Sequence, residues 1–89
     1  MEFMHSIVNV RDDQAVHVKL QGNAANVFLF DDINFARYQA LEEPRAQVGG
    51  FFGRSPVHLR PPWAGRWHVV VDLAGEEGEV SATVSLRPS

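Results

Sequence analysis

The chain has 89 residues, of which 45% are hydrophobic and 21% charged, so its composition is that of one globular domain spanning residues 1–89 rather than a disordered segment. It contains no cysteine, which excludes a disulfide framework and a thiolate metal site and is typical of a reducing compartment, so we expect a cytoplasmic protein. The net charge of −3 without a basic block argues against nucleic-acid binding, and no apolar run approaches the roughly 20 residues of a membrane span.

The first third of the chain predicts three strands. Residues 3–9 carry a weak strand pattern, and residues 16–21 alternate strictly between apolar and polar side chains, which is typical of a half-buried strand. That strand ends at Gly22-Asn23, a turn dipeptide. Residues 26–30 are apolar on both faces, so we expect the second face to be covered by a loop, another sheet or a partner chain.

One short helix is predicted in the middle of the chain. Asp31-Asp32 offers an N-cap, and Phe35 and Tyr38 fall on one helical face at i and i+3. The sequence Glu42-Glu43-Pro44 is expected to stop it, because proline disfavours helix in the residue before it. The helix therefore covers one or two turns.

The second half of the chain predicts four more strands. Residues 48–53 form an extended segment whose three glycines suggest a bulge or a close backbone approach, and residues 55–60 alternate again. The strongest strand covers residues 66–73, with Trp67 predicted in the core and His68 on a solvated face. A turn at residues 74–78 leads to a last strand at residues 79–86, and we expect these two strands to form a β-hairpin.

About seven short strands at this spacing predict an all-β fold. The expected architecture is a small antiparallel β-sandwich, jelly-roll-like, with one short helix. A small closed barrel is the alternative, because periodicity does not reveal the order of strands in a sheet.

Several segments also carry a resemblance to a known family. They are Gly22-Asn23-Ala24-Ala25-Asn26-Val27, Asp31 with Asn34-Phe35 and Tyr38, Gly49-Gly50, Arg54-Ser55-Pro56-Val57, and Gly65-Arg66-Trp67-His68-Val69-Val70-Val71-Asp72-Leu73. Together they resemble the bacterial domain-of-unknown-function family numbered eighteen-eighty-three, across nearly the whole chain. The resemblance implies a compact β-sandwich that occurs alone or ahead of a TIR domain, and it implies no catalytic residues.

The polar residues do not form a recognisable catalytic or metal-binding pattern. His17, His58 and His68 occupy the polar register of three predicted strands, but no companion ligands lie beside them, so we expect a solvated face and no metal or other cofactor. Ser55, His58 and Asp72 could be named as a triad, yet the nucleophile elbow of such enzymes is missing. We therefore assign no catalytic residue and expect that the protein is not an enzyme.

A working surface is predicted around Phe51, Phe52, Arg54 and Trp63. Consecutive phenylalanines in an extended segment point to opposite sides, Arg54 is a residue type that interfaces favour, and Trp63 lies in a proline-stiffened loop. The alternative is that one phenylalanine and Trp63 close an open end of the sandwich while Arg54 pairs with Asp31 or Asp72. The function that follows is a non-catalytic binding or sensor module with a protein partner, and the alternative is a structural subunit that assembles into homo-oligomers.

Overall fold

The computed structural model describes residues 2–89, which form seven strands and one helix. The elements in chain order are β1 Met4–Val10, β2 Gln14–Gly22, β3 Ala25–Phe30, α1 Asp32–Gln39, β4 Val48–Phe52, β5 Val57–Leu59, β6 Gly65–Asp72 and β7 Val80–Pro88. The predicted number of strands and the single short helix are confirmed.

The strands form two antiparallel sheets that pack as a sandwich. Sheet A has the order β1-β6-β3-β4, and sheet B has the order β5-β2-β7. No strand pairing joins the two sheets within residues 2–89, so the predicted sandwich is confirmed and the closed barrel is not formed.

The main hydrophobic core lies between the two sheets. Alternation places one face of each central strand inward, as predicted for Val16 and Val18 of β2 and for Trp67 of β6. Trp67 is 3% exposed and its indole Nε1 donates to the Trp63 carbonyl at 3.0 Å, so the largest core side chain also has its polar atom satisfied.

A second, smaller core lies on the outer face of sheet A, under α1. Phe30 and Val70 of the sheet pack against Phe35 and Tyr38 of the helix, and the partly buried Phe3 closes its side. This packing explains why β3 is apolar on both faces. The cover comes from the helix rather than from a loop, a third sheet or a partner chain.

The helix begins where its capping residue predicts. The Asp31 carboxylate accepts from the Asn34 backbone amide at 2.8 Å, and the Phe35 amide donates to the Asp31 carbonyl. The helix ends at Gln39, and Leu41 follows with a φ of 61°. At eight residues α1 is too short to cross a bilayer, and residues 2–89 contain no helix that is long and apolar enough to do so.

The predicted hairpin between the last two strands is wrong. Strand β6 pairs with β1 and β3 in sheet A, whereas β7 pairs with β2 in sheet B. Both hydrogen-bonding edges of β6 are therefore occupied, and the connection at residues 74–78 crosses from one sheet to the other. The alternation of apolar and polar residues fits either pairing equally well, because it indicates which face of a strand is buried and not which strand lies beside it.

The expectation that His68 lies on a solvated face is also wrong. His68 is 5% exposed, because α1 covers the outer face of β6 that would otherwise meet water. His17 and His58 pair across β2 and β5 on the outer face of sheet B, so the three histidines lie on two different sheets. The ring centroids of His17 and His58 are 4.6 Å apart in an edge-to-face arrangement.

A polar chain under the helix links β1, β6 and α1. His68 Nε2 lies 2.6 Å from Asp32 Oδ1, and His68 Nδ1 lies 2.8 Å from His5 Nε2. Since a carboxylate oxygen accepts, the His68 Nε2 carries a proton, and in the neutral ring Nδ1 accepts from His5 Nε2–H. Phe35 stacks on both imidazoles, at ring-centroid distances of 4.1 Å to His5 and 4.3 Å to His68. Arg66 Nε is 3.2 Å from the same Asp32 oxygen.

The pKa values of two residues in this network, His5 and Asp32, are both lowered. Desolvation, His68 and Arg66 lower the pKa of His5 below its usual 6.5. The hydrogen bond from His68, together with Arg66, lowers the pKa of Asp32 below its usual 3.8. Full protonation of both imidazoles would leave two N–H groups facing each other, so the His5–His68 bond requires that one of these nitrogens stay unprotonated.

Strand β4 depends on one glycine at a close backbone approach. Gly49 has a φ of +104°, and a Cβ built there would lie 2.1 Å from the Val27 carbonyl oxygen. Neighbouring Gly50 has open space at the same position, with nothing within 4 Å of an added Cβ. The predicted close approach in this glycine-rich segment is therefore at residue 49.

We expect Gly49→Ala to destabilise the protein by on the order of 2 to 4 kcal/mol, because the added methyl group meets backbone and φ is left-handed. Gly50→Ala is the matched control and should change the free energy of unfolding by less than about 1 kcal/mol. Urea denaturation of both variants measures the difference. Equal stabilities of the two variants would show that the backbone of β4 adjusts to the added methyl group and that glycine is not required at residue 49.

We expect the free energy of unfolding to fall as the pH drops below 6.5, the usual pKa of histidine, because unfolded His5 then binds a proton that the folded chain resists. A second loss is expected below pH 3.8, where the unfolded chain protonates Asp32 before the folded chain does. His5→Gln keeps a donor toward His68 and should flatten the first decline when melting temperature is followed against pH.

His17→Gln is the control for that experiment, because desolvation, followed by the charges of Arg87 and His58, lowers the pKa of His17 as well, on the opposite side of the molecule. The His17→Gln variant should remove a separate part of the fall in stability below pH 6.5 while leaving the contacts of α1 unchanged. Identical pH profiles for the wild type and His5→Gln would contradict a role for the His5–His68 bond.

Candidate binding cleft

An open cleft of about 1270 Å³ lies at one end of the sandwich. One wall is the N-terminal segment that leads into β1, and the other is the connection between β6 and β7. Its apolar lining includes Phe3, Met4, Leu73 and Val80. The cleft thus exposes apolar surface between the sheets where the end of the core is left uncovered.

The mouth of this cleft is acidic. The carboxylates around it belong to Glu2, Glu76, Glu77 and Glu79. No lysine, arginine or histidine is among the described residues that line the cleft, so these charges have no cationic neighbour within it. The rim therefore creates a negative potential over an apolar floor.

Backbone contacts hold the β6–β7 connection in place. The Asn23 amide donates to the Glu79 carbonyl at 2.9 Å, and the Glu79 amide donates to Asn23 Oδ1 at 3.0 Å. Gly22 allows this approach, because a Cβ there would lie 2.4 Å from the Glu79 carbonyl oxygen. The turn dipeptide after β2 thus anchors the acidic wall of the cleft.

Asp72, at the inner end of the cleft, has a structural role. Its Oδ1 accepts from Asn26 Nδ2 at 2.9 Å and from the Ala74 amide at 2.8 Å, and its Oδ2 accepts from the Tyr38 hydroxyl. Burial, and then this bond to Asp72, raise the pKa of Tyr38. The carboxylate therefore joins β3, α1 and the start of the β6–β7 connection.

The three residue types of a catalytic triad, at Ser55, His58 and Asp72, are dispersed in the fold. The Ser55 hydroxyl accepts from the Leu20 amide at 2.8 Å, His58 lies on the outer face of sheet B, and Asp72 lies under the helix in sheet A. Among residues 2–89, no three histidine, aspartate or glutamate side chains come together in an arrangement that could hold a metal ion.

The four residues predicted as a working surface are not brought together. Phe51 is 63% exposed on β4 opposite Asn26, and Phe52 packs against the main core from the other face. Arg54 is exposed just beyond β4, and the carboxylates of Asp31 and Asp72 are hydrogen-bonded to other residues.

Trp63 lies at the far end of the sandwich from those residues. It precedes Gly65 at the start of β6, whereas Phe51 lies beside the strand end at Asp72, and an eight-residue strand spans roughly 25 Å. Trp63 is 55% exposed and rests on Trp67, with ring centroids 4.8 Å apart. Binding through any of these four residues stays a prediction, and they cannot act as one contiguous patch.

Sequence reasoning missed the cleft. The sequence predicts a turn at residues 74–78, but the cleft forms only because this connection crosses between sheets. The signal that could have found it is the concentration of glutamates at residues 76–79 beside the glycines at 75 and 78, both of which have positive φ.

Comparison with known proteins gives a family and no further relatives. No curated protein and no solved structure matches the chain. The model of the family described as "Domain of unknown function (DUF1883)" matches residues 1–89, the whole chain. The protein therefore belongs to the DUF1883 family.

Proposed function

We propose that this protein is a non-catalytic binding module and that its ligand enters the cleft between the sheets. The observation that carries the proposal is the combination of an apolar floor with an acidic rim that has no basic neighbour among the lining residues. A ligand with an apolar side chain and a positive charge would cover the apolar floor and neutralise the acidic rim. A basic, partly apolar peptide segment of a protein partner has this chemistry.

The state of the polar groups supports binding rather than turnover. Asp72 is held by Asn26, Tyr38 and the Ala74 amide, so its role is structural. The described lining of the cleft contains no histidine or cysteine that could act as a base or nucleophile beside a bound ligand.

The cellular setting is part of the proposal. The lack of cysteine is typical of a reducing compartment, which supports a cytoplasmic site of action. The family resemblance implies a bacterial domain that occurs alone or ahead of a TIR domain. In such a position a peptide-binding module would recognise a signal or bring an effector domain to its partner.

The test uses two short peptides, one alternating lysine and leucine and one with glutamate in place of each lysine. We expect the lysine peptide to shift the backbone NMR signals of Leu73, Val80 and the residues between them, and the glutamate peptide to leave them unchanged. Equal shifts with both peptides, or shifts confined to other parts of the chain, would contradict the proposed ligand class.

A double charge reversal, Glu76→Lys with Glu77→Lys, should weaken binding of the lysine peptide by about tenfold, since exposed charge pairs contribute less than about 1 kcal/mol each. Glu42→Lys with Glu43→Lys is the matched control, because it makes the same change of charge in an exposed loop outside the cleft. If the control weakens binding equally, the effect is one of net charge and the cleft is not the site.

A further inference from the structure

The four edge strands of the sandwich are protected to different degrees. An unpaired strand edge exposes backbone donors and acceptors, and proteins usually guard it with short strands, prolines, bulges or charges. Strand β5 has three residues and lies between Pro56 and Pro61. Strand β4 has five residues, and Gly49 within it has positive φ. Strand β7 ends in Arg87-Pro88.

Strand β1 has none of these protections. Its seven residues, Met-His-Ser-Ile-Val-Asn-Val, include no proline, glycine, lysine, arginine or carboxylate. It pairs with β6 along one edge only, and its residues 4–7 are all exposed. Residues 80–86 of β7 also lack charge and proline, but none of them is a large apolar side chain as exposed as Met4 and Ile7 of β1.

Sheet B covers the inner face of β1 only in part. Sheet A has four strands and sheet B has three, and β4 contacts β5 at one side of the sandwich. At the opposite side β1 contacts β2 and buries Val10, but its other end is exposed. Alternation puts Met4 on its inner face and Ile7 on its outer face, and they are 40% and 49% exposed. Both faces of the strand thus carry uncovered apolar surface.

We propose that β1 pairs antiparallel with β1 of a second copy of this chain, so that the two A sheets join into one continuous sheet. This proposal does not depend on the cleft ligand proposed above, although Met4 belongs to both surfaces. A second copy fits because the same uncharged edge on both sides closes by two-fold symmetry without opposing like charges.

The length of the strand determines the register of this pairing. The register that pairs all seven residues places Ile7 opposite Ile7 of the second copy, Met4 opposite Val10, and His5 opposite Asn9. The two isoleucines then form a cross-strand apolar pair on the outer face at the symmetry axis. The exposed Met4 packs beside the end of the main core of the other copy.

Light scattering on the purified protein tests the proposal, and we expect a dimer. Ile7→Lys puts two ammonium groups opposite each other at the axis and should weaken association by on the order of a hundredfold. Ile33→Lys is the matched control, because Ile33 is 75% exposed on α1 and is not part of β1, and this variant should remain dimeric.

A mixture of Ile7→Lys with Ile7→Glu tests the register. Each variant alone should lose the dimer. The mixture should regain it only if residue 7 of one copy lies directly opposite residue 7 of the other. Amide hydrogen exchange on the wild type needs no variant: residues 4–10 should become less protected on dilution, with the other strands unchanged. A wild type that is monomeric at millimolar concentration would overturn the proposal. So would a dimer that Ile7→Lys leaves intact, which would assign the interface to another surface.

Discussion

The burial of β6 on both faces is the constraint on which the rest of the structure depends. Its inward side chains, Trp67 among them, fill the core between the sheets, and Val70 on the other face enters the core under the helix. A strand in an antiparallel sandwich ordinarily has one face toward water. Here α1 occupies that face, so β6, like its neighbour β3, belongs to both hydrophobic cores.

The helix buries polar side chains of β6, which is energetically unfavourable unless these side chains are hydrogen-bonded. Covering β6 removes His68 and Asp72 from water, and each is given partners on the elements that cover it. Within residues 2–89 no buried side-chain nitrogen or oxygen lacks a hydrogen-bond partner. These bonds also orient α1, since one network holds its first residue and the other holds Tyr38 in its last turn.

The surfaces left for function are consequently at the ends and edges of the sandwich. The cleft exists because the β6–β7 connection crosses between sheets, and β1 has a free edge because it is the terminal strand of sheet A. On our two proposals these surfaces meet at Met4, which lines the cleft and begins β1. A peptide in the cleft and a second copy on β1 would therefore influence each other through the N-terminal segment.

The sequence by itself determined the number of strands, the all-β class, the capped helix and the face that Trp67 presents to the core. These are local properties, since alternation with period two and a capping aspartate act over a few residues. Only the tertiary structure decided which strands are neighbours, so the expected hairpin of the last two strands proved to be a crossover between sheets. It also decided that α1 covers β6, which turned His68 from an expected surface residue into a buried one. The cleft and the separation of Trp63 from Phe51 likewise depend on strand order, and strand order is set by long-range packing that no single segment records.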